Sequence, residues 1–265
     1  MSEALKSLSS GALRIAVGGE PVVEHYAGTT GGTDPAPCTT GTHFQIASIS
    51  KQFTAAAVLT LVRDGQVAVG DKVARWFPRG PCGWEAITVH QLLTHTSGLG
   101  QWEDFPEIDV FAKTEDRQFL GAITSHPLLG APGSHFYYSS PGYWLLAQII
   151  EKAAQCPYPE FLTRSVLEPA GLTDTFAGSP GRRWAIASGH SDDVPVPSYE
   201  LDYTGKGAGD IYSTVGNLEQ WNHSGTRTGM AGTWAALAER RCAITPGTTP
   251  DSIPLMPGSR VQACQ

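Results

Sequence analysis

The segment that decides the fold class of this chain is Phe44-Gln45-Ile46-Ala47-Ser48-Ile49-Ser50-Lys51-Gln52-Phe53-Thr54. It places a serine three residues before a lysine, and residues 53–63 predict a helix that ends at Asp64-Gly65. Because an α-helix turns once in about 3.6 residues, the side chains of Ser48 and Lys51 share a face and can meet. We expect Ser48 in the first helical turn, where unpaired backbone N–H groups and the positive end of the dipole favour an oxyanion.

The chemistry of this pair depends on its surroundings. A serine hydroxyl is a weak nucleophile until a neighbouring base takes its proton. A lysine, with an ordinary pKa of about 10.4, can be that base only where burial disfavours its charged form. The neighbouring residues are mostly small or apolar: Phe44, Ile46, Ala47, Ile49, Phe53, Ala55, Ala56 and Ala57. The segment therefore suits a desolvated amine, although Ser-x-x-Lys also occurs by chance and its companions must decide.

Composition restricts the classes of partner. The 265 residues, 41% hydrophobic and 16% charged, are typical of one large globular domain. A formal net charge of −7, with no run of Lys or Arg, argues against a nucleic-acid or anionic-membrane partner. The apolar stretches are too short to span a bilayer, and residues 1–10 lack the apolar core of a signal peptide. We therefore expect a cytoplasmic protein.

Sequence signatures of metals and cofactors are absent. The five cysteines are far apart and form no Cys-x-x-Cys pair, which favours free thiols over a zinc site. His90 and His95 lack the spacing and carboxylates of a metal site. Glycine-rich nucleotide-binding loops, Gly-x-Ser-x-Gly and His-Glu-x-x-His do not occur. We predict a protein with no metal and no cofactor. The cysteines are Cys38, Cys82, Cys156, Cys242 and Cys264.

Local patterns outline the elements along the chain. Residues 12–17 and 22–27 are rich in β-forming residues on either side of Gly18-Gly19-Glu20-Pro21, which predicts a hairpin. Short helices between Pro- and Gly-rich loops follow, among them residues 143–154 and 158–167. The predicted helix caps are Thr88 in a capping box with Gln91, Thr114, Ser140 followed by Pro141, and Thr214.

One domain accounts for the whole chain, residues 1–265. Its predicted parts are a hairpin with the nucleophile helix (1–72), a mostly α-helical subdomain (73–209), and a return segment with an atypical tail (210–265). Within that tail, residues 230–241 predict a helix. Residues 245–265, rich in Pro, Gly, Ser and Thr, predict a loose end.

A second candidate group lies in residues 132–143, where two tyrosines precede the predicted start of a helix. A tyrosine directly before a helix can project into a cleft, and a phenol near a lysine can carry protons. In the alternative interpretation Tyr137 and Tyr138 are core aromatics and Ser140 only caps the helix. The serine–lysine pair upstream favours the first interpretation.

Five segments in order, within residues 11–222, resemble the serine β-lactamase and penicillin-binding-protein superfamily, in its branch of class C β-lactamases, DD-peptidases and esterases. They are residues 44–55 (FQIASISKQFTA), 92–99 (LLTHTSGL), 132–143 (PGSHFYYSSPGY), 168–175 (EPAGLTDT) and 207–214 (GAGDIYST). The resemblance implies an α+β fold of the β-lactamase/transpeptidase type. Such a fold has an antiparallel sheet with helices on both faces and an inserted, mostly α-helical subdomain.

The resemblance also implies roles for residues that match the family's motifs. Ser48 would be the acylated nucleophile, its N–H forming half of an oxyanion hole, and Lys51 the base or proton relay. Tyr138 matches the tyrosine of the family's Tyr-x-Asn motif, which helps to activate the serine and to protonate the leaving group. Gln45 would contact substrate. His95, in the family's His-Thr-Ser-Gly segment, is interpreted as structural, satisfying backbone groups of loops.

Two positions depart from the family's pattern. Ser140, also a predicted substrate contact, stands where the family usually has asparagine, so a hydroxyl replaces an amide with a paired donor and acceptor. The third motif, Lys/His-Thr/Ser-Gly on a core strand, has only His223-Ser224-Gly225 and Arg227-Thr228-Gly229 as candidates, both close to Trp221 in a helix-like or loop context. We therefore expect missing or atypical C-terminal strands. Loss of one oxyanion donor costs about 2.7–4 kcal/mol.

The sequence favours a metal-free serine hydrolase that acts through an acyl-enzyme on a small ester, amide or β-lactam, of the esterase, β-lactamase or D-Ala-D-Ala carboxypeptidase type. Esters are favoured because a better leaving group tolerates an imperfect site. The alternative is a catalytically impaired homologue or a ligand-binding module, motivated by Ser140 and by the third motif. Self-association that completes the C-terminal tail is a further hypothesis.

Overall fold

The computed structural model of the chain describes residues 10–31, 34–109, 114–179, 184–191, 194–196 and 205–227. The predicted helix over residues 230–241 and the predicted loose end of residues 245–265 lie outside these described residues. Cys38, Cys82 and Cys156 are free thiols, as the sequence predicted for them. The other two cysteines fall in the part of the chain that is not described.

The N-terminal strands form an antiparallel hairpin of β1 (Gly11–Val17) and β2 (Glu20–Ala27). Gly18 and Gly19 have φ angles of +64° and +91°. Positive φ at both central residues is what a two-residue type I′ turn requires, and glycine reaches it without a steric penalty. The predicted hairpin is confirmed, with a two-residue turn in place of the four residues that the sequence indicated.

Helix α1 (Ser50–Arg63) lies in the apolar core. Its alanines at positions 55–57 are buried, and such small side chains allow neighbouring helices to approach closely. A 3₁₀ turn, Ala47–Ile49, precedes it, so Ser48 lies directly ahead of the helix and not in its first turn as predicted. The reason is backbone geometry, because Ala47 has a φ of +44°, a sparsely populated conformation that turns the chain sharply before Ser48.

Shorter helices complete the helical part of the described chain: α2 (Val89–Leu93), α3 (Asp116–Ser125), α4 (Ser140–Ala154) and α5 (Tyr158–Leu162), which continues as a π-helical turn over Thr163–Leu167. Their apolar faces share one contiguous core with α1. Trp84, Phe119, Trp144 and Tyr158 are fully buried there. Burial of each large apolar side chain stabilises the fold by about 1.5–3 kcal/mol, which fixes α4 against α1.

Two of the predicted helix caps are confirmed. Thr88 accepts a hydrogen bond from the N–H of Gln91, and the Gln91 side chain accepts one from the N–H of Thr88, which completes the capping box. Thr214 accepts a hydrogen bond from the N–H of Asn217 at 3.2 Å, at the start of helix α6 (Val215–Arg227). Both interactions satisfy backbone donors that a helix leaves unpaired.

The other two cap predictions are wrong by one residue. Glu115, not Thr114, is the N-cap of α3 and forms a capping box with Gln118. Ser139, not Ser140, caps α4: its hydroxyl accepts a hydrogen bond from the N–H of Gly142 at 3.1 Å. In each case the capping residue is the last one with an extended backbone, which an N-cap requires.

The strands that position the site form a three-stranded antiparallel sheet of β3 (Phe44–Gln45), β7 (Ile211–Ser213) and β4 (Thr175–Ala177), with β7 in the middle. A two-stranded ribbon of β5 (Gly189–Ser191) and β6 (Val194–Val196) is separate from it. Among the described residues the sheets are antiparallel, as predicted, but lie in three small pieces rather than one. Strand β7 passes into α6, whose Trp221 stacks on Phe53 of α1 at 4.3 Å between ring centroids.

Candidate active site

Three predicted catalytic residues meet at one oxygen atom. The Nζ of Lys51 donates a hydrogen bond to the Oγ of Ser48 at 3.0 Å, and the hydroxyl of Tyr138 donates to the same Oγ at 2.7 Å. The Nζ of Lys51 also lies 4.8 Å from the centroid of the Tyr138 ring. The structure therefore brings Ser48, Lys51 and Tyr138 together, and their catalytic roles stay predictions.

The exposure of each of the three side chains indicates which of them can contact a ligand from solvent. Ser48 is exposed and Tyr138 is 37% exposed, so both can reach a ligand from solvent. Lys51 is only 6% exposed. Burial lowers the pKa of its amine to about 7, against the opposing effect of the negative charge of Asp210. A share of the amines is then uncharged near neutral pH and can accept a proton.

A turn of the chain lies against this pair, and we call residues 207–210 the carbonyl turn. Its carbonyl groups at three consecutive positions each accept a side-chain hydrogen bond: Gly207 from Thr54 (2.6 Å), Ala208 from Lys51 (2.9 Å) and Gly209 from Gln45 (3.2 Å). The carbonyl of Ala208 thus gives the amine of Lys51 a second hydrogen-bond acceptor besides the Oγ of Ser48. The sequence did not indicate that the carbonyl of Ala208 would bind Lys51, because residues 207–210 carry only the family resemblance there.

Gly207 allows the carbonyl turn to lie directly on α4. Its φ is +70°, and a Cβ atom at this position would lie 2.7 Å from the Cβ of Ala147 and 2.9 Å from the carbonyl oxygen of Tyr143. Both distances are shorter than real contacts of a Cβ allow. Only glycine therefore satisfies the backbone angle and the close packing together.

His95 supports the loop that presents Tyr138. Its Nδ1 accepts a hydrogen bond from the N–H of Ser139 at 3.1 Å, and its carbonyl accepts one from the N–H of Tyr137 at 2.8 Å. Its ring lies 4.5 Å from the ring of Tyr138, between centroids. The predicted structural role of His95 is confirmed. Tyr137 turns away and donates to Asp104 at 3.0 Å, so the two adjacent tyrosines have different partners.

The two predicted substrate contacts lie beside the site with other partners. Gln45 is half-buried on β3 and donates to the carbonyl turn. Ser140 is 4% exposed, and its backbone N–H donates to the Oε1 of Gln101 at 2.7 Å. Substrate binding by either residue stays a prediction.

The candidates for the third motif do not lie on a described strand. His223-Ser224-Gly225 lies within α6, and Arg227 is the last residue of that helix, so the first candidate is wrong as a core-strand motif. Thr228 and Gly229 lie outside the described residues. Within the described ranges no group of three or more His, Cys, Asp or Glu converges as a metal site would require, and no helix there has the length and apolar character to cross a membrane.

Comparison with known proteins identifies the family. The Beta-lactamase family model matches residues 2–262, and the chain therefore belongs to the β-lactamase family. Penicillin-binding protein 4* of Bacillus subtilis (strain 168) is 34% identical over 200 residues, which cover 72% of this chain and 44% of that protein. Esterase EstB of Burkholderia gladioli is 33% identical over 178 residues, which cover 61% of this chain and 45% of that protein.

A solved structure agrees with this assignment. The octameric penicillin-binding protein homologue from Pyrococcus abyssi has a TM-score of 0.67 and 28% sequence identity, with coverage of 79% of this chain and 50% of that chain. The superfamily and the fold class inferred from the sequence are therefore confirmed. The chain spans less than half the length of either of these two curated relatives.

Proposed function

We propose that the chain is a metal-free serine hydrolase that forms an acyl-enzyme with small esters and, less efficiently, with amides or β-lactams. The observation that supports this most directly is the position of the Oγ of Ser48, within hydrogen-bond distance of the amine of Lys51 and the phenol of Tyr138. A nucleophile, a base whose pKa is near neutrality and a second proton carrier are the groups that acyl transfer needs.

Each step of the proposed reaction uses these three side chains. The neutral amine of Lys51 takes the proton of Ser48 as its Oγ bonds to the substrate carbonyl carbon. The resulting oxyanion collapses, the bond to the leaving oxygen breaks, and the phenol of Tyr138 protonates that oxygen to give the alcohol while the ammonium of Lys51 returns a proton to the phenol. Water then attacks the acyl carbon by the reverse proton path, which releases the acid and restores Ser48.

The proposed preference for esters rests on how the transition state is stabilised. Ser48 lies in the 3₁₀ turn that leads into α1, and we propose that its backbone N–H contributes one oxyanion donor. Neither candidate for the third motif supplies a described strand with a second donor. Since one donor is worth about 10²–10³ in rate, an ester, with its better leaving group, tolerates such a site best. The likeness to an esterase supports the same preference.

The test is covalent labelling together with turnover. The full chain is incubated with a fluorophosphonate or a penicillin, its intact mass is measured, and hydrolysis of a short-chain chromogenic ester is followed. We expect a mass increase on Ser48 and turnover, both lost in Ser48→Ala and both kept in Ser134→Ala, which removes an exposed serine beside His135. No adduct with either reagent, or equal turnover in Ser48→Ala, would contradict the proposal.

Two hypotheses from the sequence have their own outcomes. A catalytically impaired homologue or ligand-binding module requires that ester turnover be unaffected by Ser48→Ala or absent altogether. Self-association, which the octameric homologue from Pyrococcus abyssi supports, is tested by light scattering of the full chain. A monomer at the concentration used for the assays would exclude it.

A further inference from the structure

Asp210 is a buried carboxylate that the proposed reaction does not use. It is 1% exposed, and its Oδ1 accepts a hydrogen bond from the N–H of Gly207 at 2.9 Å. Its negative charge acts on Lys51 and on Tyr158 of α5, whose pKa is raised by burial and then by that charge. A buried carboxylate costs several kcal/mol unless other groups compensate it, so its presence beneath the site needs an explanation.

The hydrogen bond between Asp210 and Gly207 closes the carbonyl turn on itself. By holding the first N–H of the turn, the carboxylate fixes how the intervening peptide groups point. One of them carries the carbonyl of Ala208, which accepts the hydrogen bond from Lys51 at 2.9 Å. Asp210 therefore acts on Lys51 in two ways, through the geometry of the turn and through its charge.

We propose that Asp210 is a positioning residue for Lys51: its carboxylate holds the carbonyl of Ala208 against the amine, and its charge stabilises the ammonium that forms when Ser48 loses its proton. This inference rests on the proposed function, since it assigns Asp210 to the base of that same site. No contact of Asp210 with substrate is required.

Other groups around the amine are accounted for. Titratable groups that face Lys51 or lie behind its neighbours are Tyr138 from the loop before α4, Tyr143 from α4 with its ring centroid 5.7 Å from Nζ, and His95, whose ring lies against both tyrosines. The acidic group whose charge acts on Lys51 is Asp210. Lys206, adjacent to the carbonyl turn, is paired with Asp116 and Glu151.

The expected effect of removing the charge has one direction. Burial lowers the pKa of Lys51, and Asp210 opposes this effect. Without the carboxylate the pKa falls further, so the acid limb of the pH–rate profile moves to lower pH. The alkaline plateau also falls, because the ammonium formed in the transition state loses its negative neighbour.

The experiment compares kcat/KM for a chromogenic ester between pH 5 and 9 in four variants. In Asp210→Asn, which can still accept the N–H of Gly207, we expect the acid limb to move down by about one pH unit and the plateau to fall about tenfold or more. Thr54→Val removes another hydrogen bond to the turn without changing a charge, so the plateau falls and the limb stays. Asp116→Asn neutralises the carboxylate that pairs with Lys206, so we expect both the acid limb and the plateau to stay unchanged. Asp210→Ser, neutral and also an acceptor, repeats the first test.

A second measurement does not depend on activity. The titration of Lys51 is followed by NMR on the full chain labelled with ¹³C-lysine, with the resonance assigned by its loss in Lys51→Arg. In Asp210→Asn or Asp210→Ser the resonance should titrate about one pH unit lower than in the unsubstituted chain. An unchanged titration, or failure of both neutral variants to fold, would overturn the inference. If the unsubstituted chain hydrolyses no ester and the resonance still moves, the proposed function fails and the coupling of Asp210 to Lys51 stands.

Discussion

Two lysines lie next to the carbonyl turn, Lys206 in the sequence and Lys51 in space. They differ in burial and in their hydrogen-bond partners. Lys206 donates to the Oδ2 of Asp116 at 2.7 Å and lies 3.4 Å from the Oε2 of Glu151, carboxylate partners that suit an ammonium. Lys51 has a hydroxyl and a carbonyl as hydrogen-bond partners and is almost fully buried. The comparison shows that partners and burial, and not residue type, decide whether a lysine anchors a turn by its charge or can act as a base.

The two adjacent tyrosines repeat this contrast. The phenol of Tyr137 donates to Asp104, and burial together with that carboxylate raises the pKa of the phenol. The phenol of Tyr138 donates to Ser48 instead. Neighbouring residues of the same type are therefore matched controls for each other.

The largest expected effect distinguishes the two lysines by activity. Arginine keeps the charge but cannot give up its proton in this pH range, so Lys51→Arg should lower kcat/KM for an ester by about 10³-fold. Lys206→Arg can keep its ion pairs and should stay within about twofold of the unsubstituted chain. Steady-state kinetics at pH 8 measure both. Retained activity in Lys51→Arg would show that Lys51 is not the base.

The pH dependence of activity should follow Lys51, whose hydrogen-bond partners are a hydroxyl and a backbone carbonyl. The amine of Lys51 must be neutral to take a proton, and with its pKa at about 7 it is protonated below that pH. Activity should therefore rise through pH 7 to an alkaline plateau and be about 100-fold lower at pH 5, one decade per pH unit. Lys206→Met should leave this profile in place. A profile that is flat from pH 6 to 9 is incompatible with a titrating Lys51.

The tyrosine pair gives a smaller expected difference. Tyr138→Phe removes the phenol that reaches Ser48 and should lower kcat by about 10²-fold with little change in KM, since proton transfer and not binding is affected. Tyr137→Phe removes the bond to Asp104 and should change kcat by less than about threefold. Equal losses in the two variants would mean that both tyrosines act only through the structure of the loop.

Substituting the two lysines should have opposite effects on stability. Removing Lys51, which the activity needs, should stabilise the fold, whereas removing Lys206 should destabilise it slightly. The folded-state pKa of Lys51, about 7, lies below its ordinary value of 10.5, so the unfolded chain binds this proton more tightly. The folded state is therefore disfavoured below pH 10.5 and gains stability as pH rises from 7 towards that value. Lys51→Met should raise the free energy of unfolding at pH 7 by a few kcal/mol, at about 1.4 kcal/mol per pKa unit, less the lost hydrogen bonds.

The matched variant sets the scale for that measurement. Lys206→Met breaks partly exposed ion pairs and should lower the free energy of unfolding by about 0–1 kcal/mol at any pH between 7 and 9.5. Urea denaturation at pH 7 and 9.5 measures both variants. The gain in Lys51→Met should shrink at the higher pH, and a gain independent of pH would assign it to packing instead of the amine.

Local signals in the sequence predicted much of this structure. The spacing of Ser48 and Lys51 predicted their contact correctly, because residues three apart share a face both in a 3₁₀ turn and in an α-helix. The cap predictions at Thr114 and Ser140 failed by one residue, since a run of polar residues shows which types can cap but not which one has the extended backbone. The 3₁₀ turn before α1 depends on the strained φ of Ala47, which no sequence pattern of alanine indicates.

The carbonyl turn was beyond prediction for a different reason. Its contact with Lys51 is made by a backbone carbonyl, which every residue carries, and joins positions 157 residues apart. A sequence specifies side chains, whereas this hydrogen bond is accepted by the backbone carbonyl of Ala208. The residue types of Gly207-Ala208-Gly209-Asp210 therefore contribute to the family resemblance but indicate neither this contact nor a role for Asp210.

The close packing of Gly207 on α4 has a consequence for how this protein can change. A single added methyl group at position 207 would collide with Ala147 and the carbonyl of Tyr143, and relief would come by lifting the turn away from the helix. The oxygen of Ala208 would then leave the amine some distance from Ser48, without any substitution at the reacting residues. The second hydrogen atom on the α-carbon of Gly207, where other residues carry a side chain, is therefore as necessary for the proposed chemistry as the hydroxyl of Ser48.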